Sequence, residues 1–163
     1  MNYKIVKINE LSGRKTTIYS VLIEGDNKTL FEKFIQENLE LYRNEIEDIL
    51  LRTKAIGEKF GAREQFFKHN EGKPGDLVCA LYDNPEKKLR CYCIRYSQLI
   101  LIMGAGGLKT TRTWQEDSRL SHEVKRIIQI SQDIYKKQLS GDIQISEDGL
   151  FMIGNLDFEG NEQ

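Results

Sequence analysis

No apolar run in this sequence approaches the roughly 20 residues that a membrane-spanning helix needs, so no membrane partner is expected. The opening stretch MNYKIVKINE lacks an apolar core and a small-residue cleavage site, and no signal peptide is expected there. Cysteine is scarce. There are three, an odd number, and Cys91 and Cys93 stand only two apart, which points to a reduced, cytoplasmic protein rather than a disulfide-bonded one. The two histidines, His69 and His122, are isolated from each other, so Cys79, Cys91 and Cys93 lack an evident fourth zinc ligand. The thiols are expected to be buried and structural, with no metal or cofactor. A Cys–His nucleophile pair has no local support. Repeats and low-complexity segments are absent. A large net charge is absent too: the total is −1, which by itself neither favours nor disfavours a nucleic-acid partner. Its distribution says more. Residues 61–126 carry twelve basic and eight acidic side chains, whereas residues 127–163 carry two and seven. The acidic end is either a solvated tail or a mask for a basic site.

What is present is a balance of 39% hydrophobic and 30% charged residues over 163 positions, the signature of one soluble globular domain spanning 1–163. Tyr3, Ile5, Val6 and Ile8, then Ile18, Tyr19, Val21, Leu22 and Ile23, predict two strands around a polar turn. Thr29 with Glu32 forms a capping-box pattern, and the apolar spacing behind it predicts helices over 29–38 and 40–59, arranged as a hairpin. Residues 61–76 read as a loop, with Lys73-Pro74-Gly75-Asp76 a turn signal. Strands are predicted over 77–82, 88–96 and 99–103. Asn84-Pro85-Glu86 and Ser97-Gln98 join them into an antiparallel meander, and the last is apolar enough to be central and covered on both faces. Leu120, Val124, Ile127, Ile128, Ile134 and Leu139 mark one long helix that starts at Ser118 or Ser121 and stops before Gly141. Ile143 and Ile145, Asp148-Gly149, then Phe151 and Ile153 predict a terminal hairpin, expected to extend the sheet or to shield the site. Segregated helices and strands with an antiparallel sheet define an α+β class.

The segment LILIMGAGGLKTTRTWQ, residues 99–115, raises the question of a phosphate cradle. A P-loop needs glycine directly before its lysine and a helix beginning at the loop; here Leu108 separates Gly107 from Lys109, and TTRTWQED is a poor helix start. A dinucleotide fingerprint is also missing. The expectation is a strand ending at Met103, a glycine loop, and then Lys109 and Arg112 at the rim of the sheet. Trp114 is expected to anchor that loop. Alternation along 88–96 puts Arg90, Tyr92, Ile94 and Tyr96 on one face and Leu89, Cys91, Cys93 and Arg95 on the other. The first face joins a cation to aromatics able to stack on bases, as RNA-binding surfaces do; it is equally the pattern of an ordinary exposed face of a half-buried sheet. His69, near Arg63 and Lys68, is the acid–base candidate by pKa class.

The stretches KKLRCYCIRY and LILIMGAGGLKTTRTW, with the predicted hairpin and meander, resemble the RelE/HigB superfamily of bacterial type II toxins. The likeness covers about two thirds of the chain, residues 30–139, with the N-terminal strands and C-terminal hairpin as additions. It implies a RelE-like fold: a helical hairpin, a three-stranded antiparallel meander and a closing helix. It also implies a metal-independent mRNA endonuclease working on the ribosome through 2′-hydroxyl attack, with a cognate antitoxin as partner. Carried over, Arg90, Lys109 and Arg112 become the catalytic cations. Arg63, Lys68 and Tyr92 become substrate contacts. The alternative is a non-catalytic RNA- or protein-binding regulatory domain of the same fold.

Overall fold

The structure, a computed structural model, describes residues 1–69, 71–72, 77–82, 87–109 and 118–160. The elements in chain order are β1 (Tyr3–Lys7), β2 (Thr17–Ile23), α1 (Leu30–Asn38), α2 (Arg43–Ala55), a π-turn (Ile56–Phe60), a short 3-10 turn (Glu64–Phe66), β3 (Phe67–Lys68), β4 (Val78–Leu81), β5 (Leu89–Arg95), β6 (Ile100–Leu108), α3 (Ser118–Ser140), β7 (Ile143–Ile145), β8 (Met152–Gly154) and β9 (Asp157–Phe158). The class is α+β, with three α-helices and a mixed seven-stranded sheet among the described residues. The capping box forms as its spacing requires. The Thr29 hydroxyl accepts from the Glu32 amide and the Glu32 carboxylate accepts from the Thr29 amide, both at 3.2 Å. Such a cap stabilises a helix start by about 1 kcal/mol.

The sheet order is β3-β4-β5-β6-β2-β1-β9, which corrects the expectation of an antiparallel sheet with the first two strands as an addition. β4, β5 and β6 form the expected meander, but β2 then pairs with β6 in parallel, from Thr17 opposite Ile100 to Ser20 opposite Met103. The cause is the composition of β6. Ile100, Leu101, Ile102 and Met103 all have 0% exposure, so that strand needs a neighbour on each side and a layer on each face. β2, buried from Thr17 to Val21, supplies the second neighbour. The long chain between them, with α1 and α2, satisfies the crossover that parallel strands demand.

Side chains alternate between two cores. One holds Tyr92, Ile94, Ile100 and Ile102 against Val124, Ile127, Ile130 and Ile134 of α3. The other holds Cys79, Cys91, Cys93, Leu101 and Met103 against Phe31, Phe34, Ile46 and Ile49 of α1 and α2. The sheet is thus sandwiched between the helical hairpin and α3.

Three further boundaries differ from expectation. Residues 67–68, read as loop, are an edge strand. The hairpin β7–β8 forms around Gly149 (φ 80°) but stays a separate two-stranded sheet; β9 extends the main sheet along β1, where Tyr3 and Phe158 stack with centroids 4.8 Å apart. Gly149 sits against the side chain of Leu99, just before β6 and at the opposite end of that strand from Lys109, away from the expected site. Most consequential, β6 does not stop at Met103 but runs through the glycines to Leu108. The turn signals Lys73-Pro74-Gly75-Asp76 and Asn84-Pro85-Glu86 fall outside the described residues.

Candidate functional site

The glycines of β6 serve close packing, and none of Gly104, Gly106 and Gly107 has a positive φ. A Cβ on Gly104 would lie 2.6 Å from the Ile127 Cδ1 of α3. One on Gly106 would fall on the backbone carbonyl oxygen of Arg90, inside van der Waals contact. One on Gly107 would lie 3.3 Å from the Arg119 Nε. The segment read as a loop is therefore a strand that packs by lacking side chains.

A bulge in this strand decides which residues meet. Cys93 pairs with Met103 but Cys91 pairs with Gly106, so two residues, Gly104 and Ala105, oppose Tyr92 alone. With strict alternation, Lys109 would share the face of Met103, on the α1–α2 side. The extra residue inverts the alternation beyond it. Leu108 packs with the α1–α2 core, Gly107 faces α3, and Lys109 follows Gly107. Arg90 pairs directly with Gly107 and alternates with Tyr92 of the α3-side core, so Arg90 and Lys109 share one face. The Lys109 N–H donates to the Lys88 carbonyl at 2.7 Å, which carries the ladder one residue further and sets two lysines opposite each other. Like charges in that arrangement repel.

Arg90 is 6% exposed, and its Nε has no hydrogen-bond partner among the described residues. None of the ion pairs among the described residues involves Arg90 or Lys88. Leaving a buried donor unmet costs about 1–3 kcal/mol, more for a charged group, and an anion bound there would recover it. A carboxylate does reach the backbone nearby: Glu45 of α2 accepts from the amides of Lys88 and Leu89 at 2.8 and 3.1 Å. The result is a cationic end of the sheet suited to a phosphate, because a guanidinium fork matches two phosphate oxygens.

The other candidates disperse. Tyr92 has 0% exposure beneath α3, so the expected open face for base stacking is a core and Tyr92 offers no stacking surface. The reason is α3 itself, whose apolar stripe covers that face. Lys68 lies on the edge strand in an ion pair with the buried Glu71 at 3.4 Å, two strands from β5. Arg63 donates to the Phe60 carbonyl at 3.0 Å and lies over the Phe60 ring; Phe60 contacts Phe66 of the α1–α2 core, away from Arg90. His69 is exposed, with Nε2 2.8 Å from the Glu64 carbonyl oxygen, and His122 is exposed on α3. Arg112 and Trp114 fall outside the described residues.

The three cysteines are buried and unbridged, with Cys79 and Cys93 Sγ atoms 3.5 Å apart. Burial pushes the Cys91 thiol up to about 12, partly opposed by Arg52, and burial with the Cys79 contact pushes Cys93 well up also. Both are protonated, inert thiols at neutral pH. Among the described residues no group of three or more histidine, cysteine or carboxylate side chains could hold a metal ion, and no helix is long and apolar enough to cross a membrane.

Two cations of this end are not evident in the sequence: Lys88, opposite Lys109, and Arg119, beside the Gly107 that pairs with Arg90. One signal was available. With Ser97-Gln98 as a tight connection, a strand over 88–96 needs a partner reaching well past residue 103. Neither a family model, nor a curated protein, nor a solved structure matches this chain.

Proposed function

We propose that this chain is a RelE/HigB-type toxin, an endoribonuclease that cleaves mRNA on the ribosome, with the scissile phosphate held at the Arg90–Lys109 end of the sheet. The observation that carries the reading is the bulge at Gly104–Ala105, which turns Lys109 onto the face of a buried guanidinium whose Nε is unmet. In the reaction the ribose 2′-oxygen attacks the adjacent phosphorus, its proton passing to a base. The bond from phosphorus to the 5′-oxygen breaks, an acid returns a proton to that oxygen, and a 2′,3′-cyclic phosphate remains. Arg90 and Lys109 stabilise the charge that builds on the phosphate oxygens, and Arg112, three residues on in the sequence, is a third candidate cation. An antitoxin would act by covering this end. Induced expression in bacteria should arrest growth and produce transcripts ending in cyclic phosphate, and Arg90→Ala or Lys109→Ala should abolish both. Harmless, high-yield expression of the unaltered chain would contradict the reading.

One observation favours a second reading, a non-catalytic RNA- or protein-binding domain. Tyr92, expected to stack on RNA bases, is wholly buried under α3, which removes a substrate contact and leaves the cations to dock a partner through charge alone. RNA binding without cleavage, lost in Arg90→Ala, would select it.

A further inference from the structure

We infer that Arg119 is a second phosphate-binding residue of this end of the sheet, and that Glu37 occupies it as a built-in competitor for RNA. The inference rests on the RNA-binding reading above. Gly107 is the cross-strand partner of Arg90, and the position its Cβ would take is 3.3 Å from Arg119 Nε and 3.6 Å from Arg119 Cδ. The stem of Arg119, from the first turn of α3, therefore lies across the strand beside Arg90, on the same face. Glycine at 107 leaves room for it: a methyl there would touch Leu120 at an ordinary contact distance and crowd only the Arg119 Nε, by a few tenths of an ångström.

The guanidinium of Arg119 is bonded to the carboxylate of Glu37, from the last turn of α1, at 2.7 Å. That pair is open to solvent, with side-chain exposures of 61% and 54%. Exposed pairs of this kind contribute little to stability, so nothing in the fold requires this one to persist. A carboxylate and a phosphate use the same fork geometry on arginine, and a phosphate in the field of Arg90, Lys88 and Lys109 is held by more cations than Glu37 is. An RNA backbone entering this end would thus displace Glu37 and gain a second arginine for a neighbouring phosphate. Glu37 sets a threshold: a lone anion competes poorly with it, while a polyanion already held at Arg90 competes well.

Binding of a fluorescent single-stranded RNA oligonucleotide, measured between 50 and 200 mM salt, tests this. The variants are Arg90→Ala, Arg119→Ala, Glu37→Gln and the double variant Glu37→Gln/Arg119→Ala. Because Arg119 and Glu37 are exposed, these two positions keep the fold, as unchanged melting temperatures would verify. Arg119→Ala should weaken binding and lower the slope of log affinity against log salt by about 1. Glu37→Gln should tighten binding by about two- to fivefold, the range an exposed pair allows. The tightening must vanish in the Arg119→Ala background, since Glu37 acts through that residue and not as a general negative charge. If Arg119→Ala leaves affinity and slope unchanged while Arg90→Ala weakens both, Arg119 is no part of the site and the function proposed above stands. Equal tightening by Glu37→Gln with and without Arg119 overturns the competition. Failure of the unaltered chain to bind RNA overturns both readings.

Discussion

The two halves of β6 hold their place by opposite means. From Ile100 to Met103 the strand packs through large side chains, alternately against α3 and against the helical hairpin. From Gly104 to Gly107 it packs by their absence, so that Ile127, the Arg90 carbonyl and the Arg119 stem come up to the backbone itself. The first half is the centre of the fold. The second half carries the bulge and ends in the cationic face. The same strand therefore supplies stability at one end and the candidate site at the other.

The contrast breaks most visibly in the first half. Leu101→Ala, at a position with 0% exposure, should cost about 2–5 kcal/mol of stability in denaturant titrations, the range for a cavity in a close-packed core. Gly106→Ala comes next. Its methyl meets a backbone carbonyl that cannot swing away, so about 1–3 kcal/mol is expected, together with weaker RNA binding because Arg90 shifts. Gly104→Ala should cost less, about 1 kcal/mol, since its methyl meets the movable tip of Ile127 most closely and the Tyr92 carbonyl oxygen less tightly, at 3.1 Å. Adding Ile127→Val removes that tip, and the loss from Gly104→Ala measured in that background should shrink. A loss of the same size in both backgrounds would show that Gly104 is needed for some other reason.

The smallest effect at neutral pH lies opposite Gly106, at Cys91. Its thiol is raised from the ordinary 9.0 to about 12, so the folded state holds its proton where the unfolded chain releases it. The contribution of Cys91 to stability is complete below about 9 and is lost as pH rises towards 12. Melting temperatures should fall across that window, and Cys91→Ala should lessen the fall.

Much of this fold could be read from residue spacing because its signals are local. The Thr29–Glu32 cap, the stripe of α3, the Asp148-Gly149 turn and the alternation of β5 each lie within a few residues of one another. The parallel pairing of β2 with β6 joins positions some eighty residues apart, and only the double-sided apolar character of β6 hinted at a missing neighbour. The glycines misled for a physical reason. Glycine marks a turn when it supplies a positive φ and a tight strand when it admits a close backbone, and composition alone does not distinguish the two. At the site, Arg90 and Lys109 were legible as types. Their common face was not, because it depends on one bulge. Tyr92 was misread because the helix that covers it begins some twenty-five residues later.

The proposed chemistry requires Arg90 and Lys109 to act as a single site. A double-mutant cycle on RNA affinity, using Arg90→Ala, Lys109→Ala and the pair, addresses this directly. If both hold one phosphate, the losses will not add, and the coupling should be at least about 0.5 kcal/mol. Losses that add to within about 0.3 kcal/mol would mean that the two cations serve separate places, and the site described here would not exist.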